Sequence, residues 1–150
     1  MSEFKTIGLI GKYGDPSVGE TLQTLGNFLQ GREIDVLLDE STARMVDEHQ
    51  LTIGSREEIG ERCDLTIAVG GDGTLLNAAR SLARYDTALL GINLGRLGFL
   101  TDISPAEMET RLAEILDGQY QEEERFLLHC SIVREGEYIS ESEALNDVVV

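Results

Sequence analysis

The stretch LTIAVGGDGTLLNAA, residues 65–79, places three glycines and one aspartate between an apolar run and a helical pattern. The run from Leu65 to Val69 predicts a buried strand, and leucines and alanines at helical spacing predict a helix from about Thr74. Glycines lack the Cβ atom that would hold a ligand away from the backbone, so N–H groups beside a helix N-terminus can reach phosphate oxygens. The stretch therefore predicts a phosphate site, with a tight turn that needs positive φ angles as the structural alternative.

Asp72 is the only residue between Gly70 and Gly73 that carries a reactive group. A carboxylate beside phosphates is repelled by them unless it has a task there. Two such tasks are holding Mg²⁺ and accepting a proton from an attacking hydroxyl. Asp72 is therefore the candidate catalytic residue and the candidate metal ligand.

Apolar strands and amphipathic helices alternate over the first 119 residues, which predicts an α/β domain with a Rossmann-like parallel sheet and flanking helices. Strands are expected at residues 6–10, 34–38, 65–69 and 88–92, and helices at residues 18–29, 75–83 and 104–118. Ligands of such sheets bind beyond the carboxyl ends of the strands. Residues 70–73 and 93–101 both lie at that edge, so we expect the site there.

Residue types at helix ends support two of these boundaries. Ser55 and Glu58 have the spacing of a capping box that opens a short helix, although residues 40–63 otherwise lack a clear pattern. Ser104, Pro105 and Glu107 are expected at the N-cap, N1 and N3 positions of a later helix. Gly118 is well placed to end that helix.

The hydrophobic period changes to two from Tyr120 onward, which predicts a β-rich region over residues 120–150. Glu135-Gly136-Glu137 is expected to connect two strands of a hairpin. One face of this region would carry Phe126, Leu128, Cys130 and Ile132. The sequence ends inside an apolar run, so we expect domains at 1–119 and 120–150, with the second one truncated.

Composition narrows the class of protein. The chain has 28 acidic and 12 basic residues and a formal charge of −16, which disfavours nucleic acid and anionic membranes as partners. It contains no apolar run of about 18 residues and no signal-peptide pattern, so we expect a cytoplasmic protein. Cys63 and Cys130 form no metal or redox motif and are expected to be reduced thiols. His49 and His129 also lack the spacing of metal ligands.

Three motifs together resemble the NAD kinase family. They are Gly70-Gly71-Asp72-Gly73-Thr74, the pattern Asn93-x-Gly95-x-x-Gly98-Phe99-Leu100, and Asn146-Asp147. Their order and spacing agree with the family along essentially the whole chain. Lipid kinases and phosphofructokinases share the first motif but not the second, so the resemblance favours a dinucleotide kinase.

The resemblance implies transfer of the terminal phosphate of ATP, or of polyphosphate in some members, to the 2′-hydroxyl of the adenosine ribose of NAD. The product would be NADP. Asp72 would accept the proton, contact the NAD and help to hold Mg²⁺ or another divalent cation, while the backbone of Gly73 would lie against the NAD. Relatives form homodimers or homotetramers, so a homo-oligomer is also implied.

Asn146 and Asp147 would bind the adenosine moiety of NAD through their side chains, by the same resemblance. The family usually has Asn-Glu at this pair, and Asp147 is one methylene shorter. From the residues alone, a polar bulge in a strand explains the pair equally well. Asn93, Gly95 and Gly98 are expected to shape their loop, and Asn77, one turn beyond Thr74, is a candidate to reach a phosphate.

Two other function classes stay open at this point. One is a noncatalytic nucleotide-binding or regulatory module in which the glycine loop senses ligands that contain ADP-ribose. The other is a lipid or sugar kinase of the same superfamily. Incubation with NAD, ATP and Mg²⁺ separates these alternatives, because only the NAD kinase would form NADP.

Overall fold

A computed structural model describes residues 4–46, 50–95, 103–120, 128–134 and 137–144. The chain divides into two compact units, Met1–Tyr120 and Gln121–Val150. Strands of the first unit are β1 Thr6–Gly11, β2 Asp35–Asp39, β3 Thr52–Gly54, β4 Leu65–Gly70 and β5 Ala88–Asn93. Helices of the first unit are α1 Ser17–Gly31, α2 Glu40–Ala43, α3 Arg56–Arg62, α4 Asp72–Leu82 and α5 Met108–Leu116.

The five strands form one parallel sheet in the order β3-β2-β1-β4-β5. β1 is central, and its Ile7 pairs with Val36 of β2 on one side and with Leu65 of β4 on the other. The chain builds the sheet outward from β1 to β3 and then crosses back to β4 and β5. This order reverses direction between β1 and β4, and it confirms the predicted α/β fold with a parallel sheet.

Both faces of the sheet are covered by helices, as parallel sheets require. α1 and α5 pack on one face, where Leu22, Leu25 and Leu112 are fully buried with strand residues such as Leu9 and Ile67. A second cluster buries residues of α3 and α4 against the other face, and its members are Ile10, Leu37, Ile59, Cys63, Ala68, Leu75, Ala78 and Leu82. The sheet is therefore packed between two apolar layers, one on each face, which fix the positions of its strands.

Residues 40–63, which lack a clear pattern, form α2, the edge strand β3 and α3. The predicted capping box is confirmed at the start of α3. Ser55 Oγ accepts a hydrogen bond from the N–H of Glu58 at 3.1 Å, and Glu58 Oε1 accepts one from the N–H of Ser55 at 3.2 Å. β3 has only three residues, and an edge strand that short leaves little hydrophobic periodicity to read.

The predicted start of the last helix was wrong. Residues 105–107 form a turn, Glu107 is the N-cap, and α5 begins at Met108. The N–H of Glu107 bonds back to the carbonyl of Ser104 at 3.2 Å, so the chain makes a three-residue turn before the first α-helical bond, from Arg111 to Glu107. Gly118 does follow the helix end with φ +90°, the left-handed conformation that favours glycine.

The second unit contains an antiparallel pair, β6 Leu128–Arg134 and β7 Glu137–Ala144. Leu128 pairs with Ala144 and Arg134 with Glu137, so Glu137 belongs to β7 rather than to the connection expected at 135–137. The predicted apolar face of this unit stays a prediction. Phe126 lies outside the described residues, and the side chains of β6 are not described either. None of the helices in the described part of the chain is long and apolar enough to cross a membrane.

Candidate active site

An open cavity of about 370 Å³ lies at the carboxyl ends of β1, β4 and β5. Its lining residues come from three segments and are Lys12, Asp15, Ser17, Gly70, Gly71, Asp72, Asn93, Leu94 and Gly95. Each segment directly follows one of these strands. The cavity includes the point between β1 and β4 where the strand order reverses, which is where open α/β sheets bind ligands. The predicted edge of the sheet is therefore the one that carries the cavity.

Asp72 is the first residue of α4, with Gly71 as the N-cap. The helix begins two residues earlier than the expected Thr74, and its first backbone bond runs from the N–H of Leu75 to the carbonyl of Gly71 at 3.1 Å. This earlier start was not predictable from helix propensity, because Gly71 and Gly73 flank Asp72 and glycine is a poor helix former. The half-buried Asp72 thus lies at the positive end of the helix dipole, where a carboxylate is stabilised.

The glycines of this segment connect β4 to α4 tightly but do not adopt positive φ angles, so the positive φ expected for the structural alternative was wrong. Gly71 has φ −178°, an extended conformation open to any residue, and the described glycines with positive φ are Gly14 and Gly118. A Cβ atom on Gly70 would clash with the side chain of Thr74 and would lie 2.8 Å from Lys12 Cβ. Gly70 is therefore required by the packing of the protein itself.

Gly71 and Gly73 have a different explanation. A Cβ atom on either residue would meet none of the described residues within 4 Å beyond its chain neighbours and its own helix backbone, so the described packing does not require glycine at these two positions. They leave the first turn of α4 bare, and the first N–H groups of a helix have no acceptor within the helix. A ligand with phosphate or hydroxyl oxygens can approach this turn closely. Gly71 lines the cavity, and Gly73 is exposed one residue beyond Asp72.

Asn93 ends β5 and shapes the second loop, as expected from the sequence. Its side chain is buried, and its Oδ1 accepts a hydrogen bond from the N–H of Gly95 at 2.9 Å. The N–H of Leu94 bonds to the carbonyl of Gly70 at 3.0 Å, which fastens this loop to the glycine segment. Gly98 lies outside the described residues.

Residues 12–17 form the third side of the cavity. The sequence pattern predicted only a connection between a strand and a helix here, with no functional residue. The N–H of Lys12 bonds to the carbonyl of Val69 at 2.8 Å, so the chain runs alongside β4 beyond the end of β1. Asp15 Oδ1 accepts bonds from Ser17 Oγ at 2.7 Å and from the Ser17 N–H at 3.0 Å. The available signal was position, since this segment follows a strand of the predicted parallel sheet just as the glycine segment does.

The charges of the cavity do not by themselves favour an anion. Lys12 lines the cavity together with two carboxylates, Asp15 and Asp72. Hydrogen bonds from the Ser17 side chain and then from its N–H lower the pKa of Asp15, and the charge of Lys12 adds a smaller effect in the same direction. Asp15 is therefore ionised, and the two carboxylates outnumber the single lysine among the described lining residues.

The residues present fit a magnesium ion that arrives with its substrate. No group of three or more histidine, cysteine, aspartate or glutamate side chains is gathered to hold a metal within the described part of the chain. Mg²⁺ commonly binds proteins through one or two carboxylates and completes its shell with phosphates and water. Asp72 and Asp15 supply carboxylates at one cavity, which matches this mode rather than a metal cage built by the protein alone.

Two other predictions concern Asn77 and the pair Asn146-Asp147. Asn77 Oδ1 accepts a hydrogen bond from Arg56 Nη1 at 3.4 Å, so this candidate phosphate ligand contacts α3 instead. Asn146 and Asp147 lie outside the described residues.

A family model described as the ATP-NAD kinase N-terminal domain matches residues 7–120. The chain belongs to the NAD kinase family. Curated proteins named NAD kinase match all of this chain, with 53% identity in Saccharophagus degradans, 52% in Chromohalobacter salexigens and 51% in Azotobacter vinelandii. The match confirms the resemblance carried by the glycine segment and the Asn93 loop.

A solved structure of yeast NADH kinase, complexed with NADH, shares the fold of this NAD kinase family member. The two superpose with a TM-score of 0.77 over 93% of this chain and 46% of the yeast chain, at 22% sequence identity. The chain spans about half the length of the curated relatives it matches, 51% in each of the three named above.

Proposed function

We propose that the protein is an NAD kinase that transfers the terminal phosphate of ATP to the 2′-hydroxyl of the adenosine ribose of NAD, forming NADP. The observation that carries this proposal is the position of Asp72 on the first turn of α4, at a cavity where three strand ends meet. Relatives over the whole length of the chain bear the name NAD kinase, which supports the same reaction.

The backbone around Asp72 suits phosphoryl transfer. The bare turn at Gly71 and Gly73 lets oxygen atoms come within hydrogen-bonding distance of N–H groups at the positive end of α4. Little covalent chemistry is required of the protein in this reaction, since positioning and charge stabilisation dominate. The backbone of Gly73 would lie against the NAD, while Asn146 and Asp147 would bind its adenosine moiety.

Asp72 orients the ribose hydroxyl and accepts its proton. An aspartate carboxylate is a weak base, which is tolerable because the transition state of phosphoryl transfer is loose and proton removal can come late. Asp72 and Asp15, which line the same cavity, would also hold Mg²⁺ with the donor phosphates. A bound Mg²⁺ neutralises charge on the phosphate oxygens.

The remaining features of the proposal concern the whole protein. A charge of −16 disfavours nucleic acid and anionic membranes as partners. We propose NAD and ATP as the partners and the cytoplasm as the location. We also propose a homodimer or homotetramer. We propose that residues 120–150 belong to a β-rich domain, and that Asn146 and Asp147 of this region bind NAD.

The test uses the complete gene product with NAD, ATP and Mg²⁺, and it measures NADP. Asp72→Asn should lower turnover by about 10²–10⁴-fold while NAD still binds, because the amide keeps the shape but cannot accept the proton. Asp35→Asn is the matched control, since Asp35 is exposed at the start of β2, at the amino ends of the strands and away from the cavity at their carboxyl ends. Near-normal turnover by Asp72→Asn would refute the assignment of Asp72.

Substrate arms of the same assay separate the alternatives. Tight nucleotide binding by the wild type without NADP formation would favour the noncatalytic module. Phosphorylation of a lipid or sugar acceptor, with none of NAD, would favour the third class. NADH belongs among the acceptors tested, because the yeast structure is of an NADH kinase complexed with NADH.

A further inference from the structure

Lys12 is the basic side chain of the cavity, and the proposed reaction has so far given it no role. Among the described residues that line the cavity, no other carries a positive charge. Lys12 takes part in neither the Arg32–Asp117 ion pair nor the Arg56–Asp39 ion pair. Its side chain is exposed, with its charge available to a ligand.

The backbone and stem of Lys12 are held against the glycine segment. Its N–H bonds to the carbonyl of Val69 at 2.8 Å, which places it one residue past β1 and next to the end of β4. A Cβ atom on Gly70 would lie only 2.8 Å from Lys12 Cβ, so the absence of a side chain at Gly70 makes room for the lysine stem. The backbone and Cβ atom of Lys12 are therefore held beside Gly70, which precedes Asp72 by two residues.

We propose that the Lys12 ammonium group binds the terminal phosphates of the phosphate donor. This inference rests on the proposed function. A lysine is a compact point charge that suits phosphate oxygens, and here it offsets one of the two carboxylates that would repel them. The net side-chain charge of the cavity is −1, from one lysine and two aspartates, so without Lys12 the donor would meet only negative side chains.

The chemistry of the acceptor favours the donor phosphates over the pyrophosphate of NAD. The hydroxyl that reacts must lie at Asp72, and the phosphoryl group that it attacks must be adjacent to it. The pyrophosphate of NAD is attached to the 5′ carbon, across the ribose ring from the 2′-hydroxyl. A cation packed against the segment that carries Asp72 is therefore closer to the phosphate being transferred.

The test compares Lys12→Met, Lys12→Arg and wild type as complete gene products, by steady-state kinetics and by calorimetric binding of ATP with Mg²⁺. We expect kcat/KM for ATP to fall about 10–100-fold in Lys12→Met, the range of one charge-assisted hydrogen bond. KM for NAD should change less than about twofold, and Lys12→Arg should recover part of the loss. Inorganic triphosphate should inhibit Lys12→Met less strongly than wild type.

Lys5→Met is the matched control, because Lys5 is exposed and precedes the other end of β1. An unchanged kcat/KM for ATP in Lys12→Met would overturn the inference while leaving the proposed function intact. A rise in KM for NAD alone would also overturn it and assign Lys12 to the pyrophosphate of NAD. If wild type forms no NADP, the proposed function fails, and equal ATP affinity in wild type and Lys12→Met would then refute the role of Lys12 separately.

Discussion

Arg56 Nε lies 3.2 Å from Asp39 Oδ1, and this ion pair joins α3 to the end of β2. The Asp39 side chain is only 4% exposed, and its Oδ2 accepts a further bond from Thr42 Oγ1 at 3.4 Å. Thr42 Oγ1 in turn accepts the N–H of Gly11 at 2.9 Å, and Arg56 Nη1 donates to Ser81 Oγ of α4 at 2.5 Å. The pair therefore connects the end of β1 to the helix that carries Asp72.

This ion pair gives the carboxylate at the end of β2 a different role from that of the ribose-binding acidic residue in Rossmann dehydrogenases. Such enzymes use an acidic residue about 20 residues beyond the glycine loop to bind the ribose of the dinucleotide. Here the carboxylate at the end of β2 is buried and bonded to Arg56 and Thr42, so it serves the structure instead. The cavity lies at the ends of β1, β4 and β5, where Asp72 is the half-buried carboxylate of the glycine segment.

Arg56→Met should lower the free energy of unfolding by about 2–4 kcal/mol, because it leaves the buried Asp39 carboxylate without its charged partner. Adding Asp39→Asn to this variant should recover part of the loss, since a neutral amide costs less to bury. Urea unfolding of the complete gene product measures both. Asp117→Asn is the control, because the Arg32–Asp117 pair is 36% and 59% exposed and should contribute less than about 1 kcal/mol. Equal losses in the two variants would contradict this account.

Gly70→Ala and Gly73→Ala should have opposite effects on stability. Gly70→Ala forces a methyl group onto Thr74 and Lys12 and should cost about 1–3 kcal/mol. Gly73→Ala replaces a glycine inside α4, and its methyl group would meet no described residue within 4 Å outside its own helix and chain neighbours. It should therefore stabilise the helix by about 0.5–1 kcal/mol. Gly73→Ala should nevertheless reduce NADP formation, because the methyl group covers the bare turn. Melting temperature and activity distinguish the two effects, and full activity in Gly73→Ala would argue against ligand approach at this position.

Ser55→Ala should lower stability by about 1 kcal/mol through loss of the cap on α3. The N–H of Glu58 loses its acceptor, although the Glu58 side chain can still accept the N–H of residue 55. Ser55→Asp should keep most of the stability, since aspartate is also a strong N-cap residue. A chemical denaturation series of wild type and the two variants checks this order. No difference between alanine and aspartate at this position would contradict the capping role.

Cys63 should be unreactive in the folded protein. Burial raises the pKa of its thiol from 9.0 to about 12, with a further small increase from Asp64 and an opposing effect of Arg62. The group stays protonated in the folded state, so its contribution to stability is full below about pH 9 and decreases as pH rises from there toward 12. Thiol labelling at about pH 8, followed by peptide mapping, should modify Cys63 only after unfolding. Rapid labelling of the native protein would show that the thiol is accessible.

Strong hydrophobic periodicity made most of the α/β architecture predictable. β1, β4, β5 and the body of α1 follow from apolar residues at spacings of strands and helices, and the cap of α3 follows from Ser55 and Glu58. β3 and α2 escaped prediction because elements of three and four residues carry too little pattern. The start of α4 at Asp72 was missed because its first turn contains Gly73, a residue of low helix propensity.

The candidate site was predictable only where its residues form a local motif. Residues 70–73 and 93–95 are recognisable from their glycines and polar residues after apolar strands. The family resemblance adds a role for Asp72. Lys12, Asp15 and Ser17 form no such motif, although Lys12 packs against Gly70 across 58 residues of chain. Their membership of the cavity depends on the pairing of β1 with β4.

The sequence by itself determined the fold class, the family and the position of one reactive carboxylate, because each depends on residues close together in the chain. Only the tertiary structure decided which strand ends share a cavity, why Gly70 must be glycine, and which lysine lines that cavity. Those properties arise from the sheet order β3-β2-β1-β4-β5, which brings distant segments side by side. Local patterns define the elements, but long-range packing sets the distances between charges, and the chemistry of a site depends on those distances.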